Sequence, residues 1–281
     1  MEELNKVTNR ETKTKKENAE MTFVEHLDDL RAHLIRAILA ILFFSIIAFF
    51  FKTFIFNEII LKPKTADFIT NKLLCQFADY AKTKTLCINQ QELDIVNIEL
   101  AGQFKAHLIV SLIFGFILAF PYIIYEMWSF IKPALKKREF IYTKRMIFWI
   151  SLLFFMGILF GYLVIVPLAI NFLANYNISS EVNNTINFAS YFSTVTTSAL
   201  GTGLVFEIPV LAYILAKIGL INPVIMKKHR KHAVILSFLL AAIVTPPDAF
   251  SMVLVAFPIM ALYEISIIIV KRVSKKRRVI L

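Results

Sequence analysis

Residues 188–218 read FASYFSTVTTSALGTGLVFEIPVLAYILAKI, and this stretch decides the fold class. It is long enough to cross a membrane as a helix, which takes about 20 residues. Glu207 is the only charged residue between Val182 and Ala216. A carboxylate near the bilayer centre costs about 2.5 kcal/mol or more on insertion scales, so it is retained where it has a partner or a task. The stretch therefore predicts a membrane span that carries one functional acid.

The composition extends this prediction to the whole chain. Of its 281 residues 58% are hydrophobic, and the mean hydropathy is +0.67, which is typical of a helical membrane bundle rather than a soluble domain. The net charge is +11, but the basic residues recur in short clusters between apolar runs. This is the pattern of loops on the cytoplasmic side of a membrane. We therefore predict an all-α multi-pass protein whose partners include the lipid bilayer and exclude nucleic acid.

Six apolar segments define the predicted passes. The fifth and sixth are separated by Thr245-Pro246-Pro247-Asp248, where two prolines stop a helix because neither donates an N–H. We expect a hairpin of two short helices there, with Asp248 capping the second helix or bonding its own backbone. The six segments are about Leu34–Phe56, Ala106–Tyr125, Met146–Ile170, Phe188–Ile218, Ala233–Thr245 and Phe250–Val270.

The distribution of basic residues predicts the orientation. Lysines and arginines cluster after the second segment and on both sides of the hairpin, whereas the link between the third and fourth segments has none. Positive clusters stay inside, so both termini are predicted to be cytoplasmic. Residues 1–22 then form a polar cytoplasmic tail without a cleavable signal, 23–270 the six-helix domain, and 271–281 a basic cytoplasmic tail. A bacterial inner membrane is the expected location.

The long link of about residues 57–105 is predicted to lie outside. Apolar residues at near-helical spacing between Asp67 and Tyr80 indicate an interfacial helix. The only two cysteines of the chain, Cys75 and Cys87, both lie in this link. In an oxidising compartment they form either a disulfide or two separate thiols, and their spacing leaves both alternatives open.

Several motifs along the chain resemble those of a known family. Residues 23–31, FVEHLDDLR, resemble the H-L-x-E-L-R signature of the TatC family, the core component of twin-arginine protein translocation. Four further motifs of that family follow in the same order: the second-span proline, the W-x-F-x-x-P-x-L loop, F-E-x-P and T-P-P-D. Two positions depart from the pattern: Asp29 stands where the family usually has Glu, and Glu126 where Gln is common. The matching segments are Phe120–Tyr122, Trp128–Leu135, Phe206–Pro209 and Thr245–Asp248.

The resemblance implies a fold and a function. It implies a concave, glove-shaped bundle that binds signal peptides with consecutive arginines through Asp29 and Glu139, with Arg31 in the same site. Guanidinium groups pair bidentately with carboxylates, which suits that role. It also implies single-span TatA- and TatB-type partners, a homo-oligomeric receptor complex, and transport of folded proteins driven by the proton-motive force. No covalent chemistry and no cofactor are implied.

Each candidate residue also has a structural alternative. Asp29 and Glu139 are then solvated charges, or Asp29 pairs internally with Arg31 or His33. Glu207 is either a protonated acid that hydrogen-bonds a neighbouring helix or a docking point for a polar residue on a partner's span. A metal site is not expected, because the two histidines in residues 228–232 stand among cations with no acid or thiol nearby.

Two other functional classes compete with the translocase prediction. A proton-coupled transporter of small solutes would use Glu207 as its proton carrier, but transporters of that kind typically show paired repeats, and none is visible. An intramembrane enzyme would need a Ser/His pair, paired aspartates or H-E-x-x-H within a span, and the sequence shows none of these motifs.

Overall fold

The computed structural model describes residues 23–80, 87–89, 93–131, 143–177, 179, 184–245 and 249–278. The described chain is almost entirely helical. Two π-helical segments, Ile55–Ile60 and Gly161–Ile165, and one short 3-10 helix, Lys62–Lys64, join some of the α-helices. The α-helices are α1 Phe23–Phe50, α2 Lys52–Phe54, α3 Ile69–Tyr80, α4 Gly102–Ile131, α5 Thr143–Phe160, α6 Val166–Asn175, α7 Phe188–Val205, α8 Ile208–Ile218, α9 Pro223–Lys228, α10 Arg230–Val244 and α11 Ala249–Arg278.

Five helices of the described chain are long and apolar enough to cross a membrane. They lie in the first four predicted segments and the sixth, so the all-α membrane class is confirmed. Helix α10 has the fifth predicted place and is 15 residues long, which corresponds to about 22 Å of helix. The total of six membrane passes stays a prediction. The spans are Leu27–Phe50, Gly102–Phe130, Met146–Asn175, Phe188–Ile218 and Ser251–Lys275.

The prediction that both of the last two helices are short is wrong for the second of them. Helix α11 has 30 residues, because the helix continues through the basic residues after Val270 instead of ending with the apolar run. Lysine and arginine are good helix formers, and no proline or glycine follows Val270 to stop the helix. The predicted tail 271–281 is therefore helical as far as Arg278.

Small residues allow the long helices to approach closely. Gly115 of α4 packs against α1, where a Cβ built on the glycine would lie 2.0 Å from the Ser45 hydroxyl. Gly157 of α5 faces Gly203 of α7 in the same way, with 2.8 Å between the built Cβ and the Gly203 Cα. Close backbone contact of this kind replaces the hydrophobic driving force that is missing between helices in lipid.

The two links predicted to lie outside meet in the structure. Residues Ile95–Val96 form strand β1, which pairs in parallel with strand β2, Ile186–Asn187. The first strand belongs to the long link after α1, and the second to the link before α7. Their pairing requires both links to lie at the same end of the bundle, as the charge pattern predicts.

A cluster of three asparagines, the buried Asn71 and Asn89 and the half-buried Asn171, fastens the long link to this end of the bundle. The Asn89 side-chain amide donates to the carbonyl oxygens of Pro167 at 3.1 Å and Pro63 at 3.4 Å, and its backbone N–H donates to Asn171 Oδ1 at 3.3 Å. Asn89 has a φ of 53°, a left-handed conformation that asparagine tolerates better than most residues. This cluster holds the link against the start of α6.

The helix predicted between Asp67 and Tyr80 is confirmed as α3. Ile69, Leu73 and Phe77 lie on one face of it and are exposed, which is the pattern of a helix that lies in a membrane interface. Cys75 of this helix forms a disulfide with Cys87. The structure thus selects the disulfide from the two alternatives that the spacing left open.

Candidate functional site

Helix α1 presents a row of charged groups to α4 near its N-terminal end. Asp29, His33 and Arg36 are spaced four and three residues apart, so they share one face of the helix. His33 Nε2 lies 3.6 Å from Asp29 Oδ1, and the two side chains are 12% and 34% exposed. The aspartate is therefore held against the histidine at the edge of the bundle, while its carboxylate stays partly accessible.

Glu126 of α4 lies opposite this row. Its side chain is only 5% exposed, and its Oε2 atom accepts from both His33 Nδ1 and Arg36 Nη1, the latter at 3.2 Å. Tyr122, one turn earlier on α4, also hydrogen-bonds this carboxylate. A buried carboxylate needs such partners, because desolvation of an unpaired charge is costly. We call Asp29, His33, Arg36 and Glu126 the charged cluster.

The structure places the predicted arginine-binding residues as follows. Asp29 is the half-exposed end of the charged cluster, and its pairing with His33 is one of the internal alternatives that the sequence left open. Arg31 is exposed. Glu139 lies outside the described residues, so the distance between the two predicted carboxylates is not described.

Glu207 stands at a break in the fourth span. Helix α7 ends at Val205 and α8 begins at Ile208, because Pro209 has no N–H to donate to the carbonyl of Val205. Within the described residues Glu207 Oε1 is buried and has no hydrogen-bond partner, while the carboxyl group also lies against the backbone of Phe154. A buried acid with one free oxygen is available to a polar group from another molecule.

A cavity of about 240 Å³ lies beside this acid. It is lined by residues of α4, α5 and α8, including Glu207, Lys217 and Trp128. The Trp128 indole N–H is also buried without a hydrogen-bond partner in the described part of the chain. One donor and one acceptor without a partner in the described chain thus belong to residues that line this cavity, together with Lys217 and mostly apolar side chains.

The remaining predicted residues give no further site. Pro246, Pro247 and Asp248 lie outside the described residues, so their roles in the turn stay predictions. Among the residues that the structure describes, no group of three or more His, Cys, Asp or Glu side chains could hold a metal ion.

Comparison with known proteins identifies the family. The protein-family model for "Sec-independent protein translocase protein (TatC)" matches residues 25–258. The chain belongs to the TatC family. The TatC protein of Blattabacterium sp. subsp. Periplaneta americana is 39% identical over 94% of this chain and 100% of its own length. That of Carboxydothermus hydrogenoformans is 36% identical over 92% of this chain and 97% of its own length.

Solved structures agree with this assignment. A crystal structure of the twin-arginine translocase receptor TatC superimposes with a TM-score of 0.68 at 31% identity, covering 89% of this chain and all of that chain. TatC is a membrane-embedded, non-enzymatic component of protein translocation, so the site is one for binding and not for covalent chemistry. The family resemblance and the all-α membrane fold predicted from the sequence are confirmed.

The sequence reasoning missed most of the charged cluster. From the sequence, His33 is predicted only as an internal partner of Asp29, and Arg36 is given no role. Their spacing from Asp29 along one face of α1 is a signal that could have found them. Glu126 was noted only as a departure from the family pattern. Its contacts are made across 93 and 90 positions of the chain, and sequence spacing does not reveal such contacts.

Proposed function

We propose that this TatC protein is the receptor for twin-arginine signal peptides in a bacterial inner membrane. The arginine pair binds at the cytoplasmic side, on Asp29 and Glu139, with Arg31 in the same site. The observation that carries this proposal is the position of Asp29, a carboxylate 34% exposed at the end of the first span. It is accessible to a ligand and is oriented by His33, so it suits a planar guanidinium.

The proposal includes the orientation and the partners of the protein. Both termini are cytoplasmic, and a short fifth pass formed by α10 brings the number of passes to six. Single-span TatA- and TatB-type proteins assemble with it, further copies of the chain join the receptor complex, and the proton-motive force drives the transport of folded proteins. Glu207 contacts a polar residue on a partner's span, which is supported by its buried free oxygen.

Charge reversal at the proposed site tests the function. In purified protein, a peptide with two consecutive arginines should bind, and the same peptide with two lysines should bind more weakly, because lysine cannot pair bidentately. Asp29→Lys and Glu139→Lys should each weaken binding by about tenfold or more, since a charge-assisted hydrogen bond contributes roughly 1.5–3 kcal/mol. Both variants should still insert into the membrane.

A control and a contrary outcome complete this test. Lys227→Glu changes an exposed charge on α9 and should leave binding unaltered. Normal peptide binding by an Asp29→Lys/Glu139→Lys double variant would show that the arginine pair binds elsewhere.

A further inference from the structure

The carboxylates of the charged cluster are already paired in the free protein. Asp29 is paired with His33, and Glu126 is paired with His33 and Arg36. The partners of Glu126 therefore come from the same helix face as Asp29, and one of them is an arginine. The first span thus supplies a guanidinium group, which is the same group that the proposed ligand carries.

Another guanidinium group could replace Arg36 in its contact with Glu126. The Arg36 side chain is 50% exposed and reaches the carboxylate through one hydrogen bond of 3.2 Å from Nη1. A guanidinium can donate two parallel hydrogen bonds to a carboxylate, so this pairing is weaker than the best available. Because the guanidinium end of the pair is half exposed, an incoming ligand can reach it. Glu126, in contrast, is fixed by burial and by its second partner, His33.

The surroundings of Glu126 suit a second guanidinium. Tyr122 and Tyr125 lie on the same helix, are 39% and 53% exposed, and have ring centroids 6.2 Å apart. Arginine binds over aromatic rings as well as to carboxylates. A guanidinium that replaces Arg36 would therefore find a buried carboxylate and exposed tyrosine rings together.

We propose that Glu126 is a further arginine-binding carboxylate of the signal-peptide site and that Arg36 is its internal competitor. This inference rests on the proposed function, since it adds a contact of the ligand to the same site. Asp29 and Glu139 bind the arginine pair as proposed, and one of the two arginines also reaches Glu126 by displacing Arg36. The charged cluster thereby favours a ligand with two adjacent cations over one with a single cation.

Opposite effects of two neutral substitutions test this inference. Binding of a fluorescent twin-arginine peptide to the purified full chain is measured by anisotropy. Glu126→Gln keeps the shape but removes the charge, and should weaken binding about tenfold. Arg36→Gln removes the competitor and should tighten binding on the order of threefold. In the double variant the benefit of Arg36→Gln should vanish, because there is no carboxylate left to release.

The controls separate this inference from a structural role. Arg230 and Glu264 form an ion pair of 2.6 Å with similar exposure, 51% and 49%, outside the charged cluster. Arg230→Gln and Glu264→Gln should leave peptide binding unchanged. If Glu126 and Arg36 only stabilise the bundle, both substitutions weaken binding together, and the inference is overturned. If Glu126→Gln fails to fold, Arg36→Gln alone still tests the inference. Unchanged or weaker peptide binding by Arg36→Gln would contradict the proposal that Arg36 competes with the ligand.

Asp29→Lys distinguishes the failure of the inference from that of the proposed function. If Asp29→Lys abolishes binding but Arg36→Gln does not tighten it, the receptor function stands and Arg36 is not a competitor. If the native chain does not bind the peptide, the proposed function fails and the inference fails with it. If Asp29→Lys binds the peptide normally, the arginine pair does not bind at Asp29, and the inference fails although the chain still binds the peptide.

Discussion

Single residues in this protein act through the partners that the helices bring to them. Asp29 and Glu126 are both carboxylates near one end of the bundle, yet Asp29 is accessible whereas Glu126 is buried beneath His33 and Arg36. Glu207 is different again, because its Oε1 atom has no partner in the described chain. An acid's role in this bundle is thus set by its neighbours more than by its own chemistry.

At the residue scale, substitutions of Glu207 separate polarity from ionisation. Glu207→Gln keeps size and hydrogen bonding, whereas Glu207→Leu removes both. If the residue docks a polar group of a partner helix, Gln should retain most protein export and Leu should lose much of it, because a polar contact between membrane helices contributes about 0.6–2 kcal/mol. Export assays and partner crosslinking at Val205 measure the two effects.

Two other outcomes for Glu207 would change its assignment. If Glu207→Gln reduces protein export as much as Glu207→Leu does, ionisation of Glu207 is required, which favours proton transfer at this position. Normal export and crosslinking in both variants would make Glu207 a packing residue only. Signal-peptide binding, which we propose for the other site, should persist in every variant.

At the element scale, close helix contacts place the charged cluster. Helices α1 and α4 approach through Gly115, and this approach brings Glu126 within reach of His33 and Arg36. Gly115→Val would put a side chain into the space of Ser45, and overpacking of this kind costs about 1–3 kcal/mol. The variant should show a lower unfolding temperature in detergent and weaker peptide binding.

A substitution at an exposed position of the same helix is the control for this prediction. Leu118 of α4 is 48% exposed, so Leu118→Val changes the lipid-facing surface without altering the α1–α4 contact. Its unfolding temperature should match that of the native protein. If the Gly115→Val variant is as stable as Leu118→Val, the close contact between α1 and α4 is not needed for stability.

The disulfide that joins α3 to the following link gives a second prediction at this scale. A thiol-reactive maleimide should label Cys75 and Cys87 only after reduction. Removing a disulfide typically costs about 2–5 kcal/mol in small domains, and here the asparagine cluster also holds the link. The Cys75→Ser/Cys87→Ser variant should therefore lose part of the stability of this end only. Labelling without reductant would show that the bond does not form in the cell.

At the scale of the whole molecule, the order of basic and apolar segments predicts the topology. Reporters fused after Leu281 and within residues 227–231 should both give cytoplasmic signals, and a reporter at Glu181 should give an external one, because basic links stay inside. The strand pair β1–β2 agrees with this, since it puts both links without a net basic excess at one end. A C-terminus found outside would exclude the hairpin formed by α10 and α11.

The sequence by itself determined the membrane class, the places of five spans and the family resemblance. These depend on local properties: runs of apolar residues, proline stops, basic clusters and short motifs, each of which is complete within a few tens of residues. It also identified Glu207 as an isolated acid, because a charge within an apolar run is conspicuous without any structure.

The tertiary structure decided which of these residues meet. The contacts of Glu126 with His33 and Arg36, the asparagine cluster, the disulfide and the strand pair all join segments that lie apart in the chain. The full length of α11 was also missed, because a charged segment reads equally well as a tail or as a continued helix. Packing selects among such alternatives, since a buried polar group is stable only where another segment supplies its partner.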